Sequence, residues 1–158
     1  MLPALDHELA AHSSVHAVVE NLGTNDALQG GRHANWQAGW NELLATTAKV
    51  PCVVLTTVNS WADRYGKHSI ASAIDRDIAE LAKSHPTRYK VVDWNDFVAK
   101  LSLTSFGSYM RTDAIHEKLP GTRWIAEEDQ AALSECGSLA EPPVIPPSNR
   151  LLLHTKSG

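Results

Sequence analysis

The chain has 158 residues, enough for one domain that buries about 68–70% of its unfolded surface. Hydrophobic residues make up 43% and charged residues 20%, a balance that excludes a disordered or fibrous chain and fits a soluble globular one. With a net charge of −4, no basic run and no apolar stretch of ~18 residues, the sequence gives no footprint for nucleic acid, an anionic membrane surface or a membrane span.

In chain order, residues 3–12 read as a helix or its tail, with Leu2, Leu5, Leu9 and Ala10 at near-helical spacing. Residues 15–22 read as the first strand, β-prone through Val18, Val19 and Leu22. The strand stops at Gly23, which permits a tight turn that a side chain would obstruct. Residues 24–35 read as a polar loop, with Gly30 and Gly31 marking irregular backbone. Residues 36–48 place Trp36, Trp40, Leu43 and Leu44 on one face of a helix. Residues 51–58 form a continuous apolar and β-branched run, the pattern of a strand covered on both faces. Residues 59–68 read as a loop. A helix over 69–84 follows, with Ile70, Ile74, Ile78 and Leu81 on its apolar face. Residues 89–93 are a short third strand, and Asp93 or Asn95 is placed to cap a helix that runs to Leu101. Residues 102–120 read as a long loop and 121–133 as a last helix after Pro120. From Gly137 onward, Pro142, Pro143, Pro146 and Pro147 predict an extended, poorly ordered tail, in which Leu151–Leu153 is the segment able to dock. Strands alternating with helical crossovers predict an α/β fold: a parallel sheet with helices on both faces.

In open α/β sheets ligands bind outside the carboxyl ends of the strands. Asn25 and Asp26 fall there, just past the first strand. Asp113-Ala114-Ile115-His116 is the second polar group the fold can bring to that edge. An Asp three residues before a His on an irregular loop can fold back so that its carboxylate accepts from the imidazole, the base-and-orienter relation of a catalytic triad. The bland alternative is a turn in which Asp113 accepts from backbone N–H groups. Asn25 has its own bland reading, since Asn tolerates turn conformations, and Asp26 fits a role in shaping the loop. Trp36, Trp40 and Trp61 read as packing residues, with Trp61 also placed to wall an acyl pocket.

Other site types lack their motifs. The phosphate-cradling Gly-rich loops of nucleotide-binding proteins are absent, and so is a Gly-x-Ser-x-Gly elbow. His12 and His16 straddle a helix-to-strand boundary and have no zinc motif around them. No cofactor and no metal are expected. Cys52 and Cys136 form no metal or redox motif and read as two buried or idle thiols, a single disulfide in an exported protein being the alternative. Met1–Asp6 has neither a charged n-region nor an apolar h-region, so the chain as it stands reads as cytoplasmic, or as exported if a signal precedes Met1.

Gly23-x-Asn25-Asp26 followed by Asp113-x-x-His116 resembles the SGNH (GDSL-type) hydrolase family over roughly residues 10–134. The resemblance implies a three-layer α/β/α, flavodoxin-like fold with sheet order 2-1-3-4-5, of which this chain keeps strands three to five. Residues 1–136 would then be a partial SGNH hydrolase-like domain, truncated at its N-terminus, and 137–158 its tail. The resemblance also implies a serine esterase acting on a small ester or acylated substrate. His116 would be the base, Asp113 its orienting acid and Asn25 a donor to the oxyanion, on a turn shaped by Gly23 and Asp26. The family's Gly-Asp-Ser nucleophile turn and its second-block Gly belong upstream of Gly23, and neither is in the 22 residues there. As printed, the chain is therefore expected to be a weak catalyst or none, with Ser60 or a serine of the 102–108 stretch as first suspects should a nucleophile lie within it. The reading from another class is a non-catalytic α/β module that binds a small ester, glycan or protein partner on the same edge. Residues 15–22, left as an edge strand with Glu20 as its one carboxylate and no Pro or Lys, would invite self-association.

Overall fold

The computed structural model describes residues 3–12, 14–29, 36–66 and 69–136. Three strands, β1 (Ala17–Glu20), β2 (Cys52–Thr56) and β3 (Tyr89–Val92), form one parallel sheet in the order β1-β2-β3. Eight helices accompany it among the described residues: α1 (Pro3–Ala11), α2 (Thr24–Leu28), α3 (Trp36–Thr46), α4 (Trp61–Gly66), α5 (Ile70–Ser84), α6 (Trp94–Lys100), α7 (Leu103–Tyr109) and α8 (Leu119–Ser134). The fold class is α/β, as the alternation of elements predicts.

β2 is the centre of the sheet and is buried at every position. The two-residue period of a strand sends Val53 and Leu55 to one face and Val54 to the other. Val53 and Leu55 join Leu43 of α3 and Ile70, Ile74 and Ile78 of α5 in one cluster, against which Leu5 and Leu9 of α1 also pack. Val54 joins Val92 of β3 and Ala132 of α8 in another. That α3 and α5 share a cluster follows from the strand order. The sheet advances in one direction at each crossover, and right-handed crossovers then leave both helices on one face. The isoleucines of α5 recur every four residues, so all three reach the sheet, each contributing about 1.5–3 kcal/mol by burial. A third cluster sits beside the sheet, where Phe97 of α6 stacks on Trp124 of α8 at 4.1 Å between ring centroids and Trp94, Val98, Met110 and Ile125 are buried. Gly121 lets α8 approach this cluster, since a Cβ there would lie 2.8 Å from the Glu117 Cβ and 2.9 Å from the Tyr109 carbonyl oxygen.

Several expected boundaries are corrected. The first strand is Ala17–Glu20 rather than 15–22, because only these residues find ladder partners on β2. The expected loops over 24–35, 59–68 and 102–120 each contain a short helix: α2, α4 and α7. None is long enough to write an apolar stripe into the sequence, and each starts from a local contact instead. Gly23 precedes α2, the Asn59 side chain accepts from the Trp61 N–H at the start of α4, and the Ser102 hydroxyl accepts from the Ser105 N–H at the start of α7. α8 begins at Leu119, two residues before the expected start, with Pro120 in its first turn, where a missing N–H costs nothing. Of the two candidates for the α6 cap, Asp93 serves, accepting from the Asp96 N–H at 3.0 Å.

The two cysteines are not idle thiols. Cys52, the first residue of β2, is bonded to Cys136, just past α8, with their Cα atoms 5.7 Å apart. The pairing depends on α8 lying against β2 and β3, a tertiary fact that sequence spacing does not carry. The bond closes a loop across 84 residues, and removing such a link from a small domain costs about 2–5 kcal/mol. Gly30, Gly31 and the proline-rich 137–158 segment lie outside the described residues. No described helix is long and apolar enough to cross a membrane.

Candidate active site

The carboxyl ends of all three parallel strands point to one edge, and the polar connections cluster there. At the end of β1, Gly23 has φ +106°, a conformation that side-chain-bearing residues rarely adopt. Space is also short: a Cβ on Gly23 would lie 2.9 Å from Ile74 Cδ1 and 2.9 Å from Val58 Cγ2. The turn therefore requires glycine twice over, for its dihedral and for its closeness to α5 and the end of β2. It feeds directly into α2, with the Ala27 N–H donating to the Gly23 carbonyl at 2.9 Å. Asn25 thus sits in the first turn of a helix rather than on the expected loop, and it is exposed. Asp26, next along α2, lines a separate apolar hollow with Gly23, Trp36, Trp40 and Leu43. Glu20 lines the same hollow, and burial raises its carboxyl above the ordinary range against the lowering by the Asn21 N–H.

The second group is held by a closed loop. An antiparallel bridge joins Met110 to Glu117, and the Arg111 N–H donates to the His116 carbonyl at 2.8 Å. Between them Ala114 takes φ +59°, the one non-glycine positive φ among the described residues. That left-handed step costs about 1–2 kcal/mol for an L-residue. It folds the chain back so that Asp113 meets its own downstream neighbours. Asp113 Oδ1 accepts from the Ile115 N–H at 2.9 Å and the His116 N–H at 3.0 Å. Oδ2 lies 2.9 Å from His116 Nδ1. The two alternatives raised for Asp-x-x-His are therefore both present: one carboxylate oxygen makes the turn and the other faces the imidazole. The His116 N–H, the His116 imidazole and the Ile115 N–H together hold the Asp113 carboxyl well below the usual carboxylate range. An ionised carboxylate can only accept, so Nδ1 carries a proton, and in the neutral ring Nε2 is then the nitrogen with the lone pair. Both side chains face solvent, at 45% and 64% relative exposure, so hydrogen-bond geometry rather than burial defines the pair.

Asn25 and His116 line one cleft, together with Thr24, Asn59, Trp94 and Glu117. The chain thereby brings Asn25 and His116 to a common opening, with Asp113 bonded to His116, whereas Gly23 and Asp26 line the separate apolar hollow. Ser60 lines a different hollow, with Asp75, Asp93 and Asn95. The Trp61 ring lies 5.9 Å from that of Phe106, tilted by 51°, with the Arg64 guanidinium 3.8 Å from the Trp61 ring centroid. Among the described residues that line the cleft, Thr24 has the one hydroxyl. No group of three or more His, Cys, Asp or Glu side chains among the described residues is placed to hold a metal ion.

Asn59, Trp94 and Glu117 are among the cleft residues that the sequence reading missed. A signal for Asn59 was available: it follows the apolar, β-branched run of β2 at its carboxyl end, much as Asn25 follows β1. No family model, curated protein or solved structure matches the chain.

Proposed function

We propose that this chain is the carboxyl-terminal portion of an SGNH-type serine ester hydrolase, built on a three-layer α/β/α sheet whose further strands would pair with the outer edge of β1. The observation that carries the reading is the Asp113–His116 pair opening into the same cleft as Asn25, at the carboxyl edge of a parallel sheet. In this mechanism a serine attacks the carbonyl of a small ester, and His116 Nε2 takes its proton. Asp113 holds the ring in the Nδ1–H tautomer and stabilises the imidazolium, and the Asn25 amide donates to the oxyanion of the tetrahedral intermediate. The imidazolium then returns the proton to the leaving alkoxide. No serine is among the described residues that line the cleft, and losing the nucleophile from a serine hydrolase costs about 10⁶ in kcat. Residues 1–158 alone should therefore hydrolyse a nitrophenyl ester no faster than their His116→Ala variant.

The test is to express the chain together with the coding sequence upstream of Met1 and treat it with a fluorophosphonate. Labelling of one upstream serine is expected, lost in His116→Ala. Asn25→Ala should lower kcat about 10²–10³-fold with little change in KM. Labelling that ignores His116→Ala would overturn the reading. His116-dependent labelling of a serine within 1–158 would overturn its truncated form. The second reading, a non-catalytic module that binds a small ester, glycan or protein, is favoured by the absence of a serine from the cleft lining, and it predicts no labelling of either form.

A further inference from the structure

The segment that follows β2 is bonded at every residue. The Thr57 hydroxyl donates to Asp93 Oδ1 at 3.1 Å and accepts from the Asn95 N–H at 2.9 Å. The Val58 N–H donates to Asp75 Oδ1 of α5 at 2.7 Å. The Ser60 N–H donates to Asn95 Oδ1 at 2.9 Å. Between them Asn59, only 2% exposed, uses both ends of its amide: Oδ1 accepts from the Trp61 N–H at 3.1 Å, and Nδ2 donates to the Ala114 carbonyl at 2.9 Å. The partners settle which end is which, since a carbonyl needs a donor and an N–H needs an acceptor.

Ala114 is the residue whose left-handed backbone turns Asp113 onto His116. It is 7% exposed, and its carbonyl accepts from Asn59. We propose that Asn59 is the positioning residue of the Asp113–His116 pair: its buried amide, fixed to the end of β2, holds the Ala114 carbonyl and so the strained turn that presents the imidazole. The same segment sets the other half of the site. Val58 Cγ2 packs where a Cβ on Gly23 would have to go, so Val58 and Asn59, adjacent in sequence, bear on the Gly23 turn and on the Ala114 turn. This junction gives two loops far apart in the chain a common reference on the central strand. The asparagine type follows from the geometry, because one nearly fully buried side chain must both donate and accept at fixed positions. Without it, a buried carbonyl would lose its partner while Ala114 kept its unfavourable dihedral.

The role rests on the reading that Asp113 and His116 are the working pair, but its test does not depend on activity. In the unmodified chain, a through-hydrogen-bond coupling should link Asn59 Nδ2 to the Ala114 carbonyl carbon in NMR spectra. Its absence would overturn the proposal whether or not any variant folds. In Asn59→Ala and Asn59→Asp, neither of which can donate to that carbonyl, the ¹⁵N shifts of the His116 ring should move from the Nδ1–H tautomer to a mixture with Nε2–H. The Thr47→Val variant also loses a buried hydrogen bond, from Thr47 Oγ1 to the Leu43 carbonyl, but away from the cleft, and it should keep the Nδ1–H signature. A folded Asn59 variant that retains that signature, or a Thr47→Val protein that loses it equally, would reduce Asn59 to a stability residue. A positive NMR result beside a failed labelling experiment would leave Asn59 in place and remove only the hydrolase reading.

Discussion

Two residues have backbone conformations that their surroundings impose, and they sit at the two halves of the cleft. Gly23 and Ala114 both have positive φ, and each redirects the chain at the carboxyl edge of the sheet. Gly23 is the more constrained, because its dihedral and its contacts with Ile74 and Val58 both exclude a side chain. Gly23→Ala should therefore destabilise by about 2–3 kcal/mol, combining an unfavourable left-handed alanine with overpacking of a methyl group. Urea unfolding is the check: the midpoint should fall with the m-value unchanged, and a change below about 0.5 kcal/mol would mean that the turn relaxes freely. Ala114 keeps its conformation although a side chain is present. It can do so because Asn59, Arg111 and the Asp113 carboxylate all bond the turn around it.

Among the elements, α5 has two tasks. Its isoleucine face fills the core, and Asp75, on its flank, reaches the N–H of Val58. Burial pushes the Asp75 carboxyl up to about 7, against the lowering by the Val58 N–H. The neighbouring carboxylates of Asp93 and Asp63 add to the rise, and the Asn95 side chain opposes it. An acid whose folded value lies above its unfolded one contributes stability that is fully present below the unfolded value and is lost as pH rises through the folded one. Asp75 therefore makes the chain less stable as pH rises from about 4 to about 7. Asp113 acts in the opposite sense at lower pH. Its depressed carboxyl contributes stability that is present above the ordinary carboxylate range and lost as pH falls toward its folded value. Asp75→Asn keeps an oxygen for the Val58 N–H and removes the charge. Its melting temperature should equal or exceed that of the parent at pH 8, and the decline between pH 4 and 7 should flatten. An unchanged slope across that window would mean that another group sets the pH dependence.

At the scale of the molecule, the sheet is unevenly finished. β2 is buried throughout and α8 covers Val54 and Val92, yet on β1 Val19 is 40% exposed, and Leu22 just beyond it is 49% exposed. Among the described strands β1 pairs with β2 alone, so its other edge offers unpaired N–H and C=O groups. Glu20, the one carboxylate of β1, lines the apolar hollow with Trp36 and Leu43. Such an edge invites pairing with another chain. Purified 1–158 should self-associate in a concentration-dependent way by light scattering, and Val19→Lys should shift it toward monomer. A parent chain that stays monomeric at high concentration with a cooperative melt would count against an open edge and against missing strands.

The sequence by itself was enough to determine the α/β class, the succession of three strands along the chain and the main core helices. Those signals are periodic and local: an apolar, β-branched run in β2, isoleucines every four residues in α5, a glycine just past β1. It also singled out Asn25, Asp113 and His116, because Asp-x-x-His on an irregular stretch needs only its own backbone to close on itself. The short helices α2, α4 and α7 were not legible, since each is set by a cap or a neighbour rather than by an apolar stripe. The Cys52–Cys136 bond was not legible either, because it depends on where α8 lies against the sheet. Least legible was the role of Asn59: its place past the end of β2 is visible in the sequence, but its burial and its bonding are not. Its two partners are 2 and 55 residues away, and only the folded sheet brings the Ala114 carbonyl within reach of its amide.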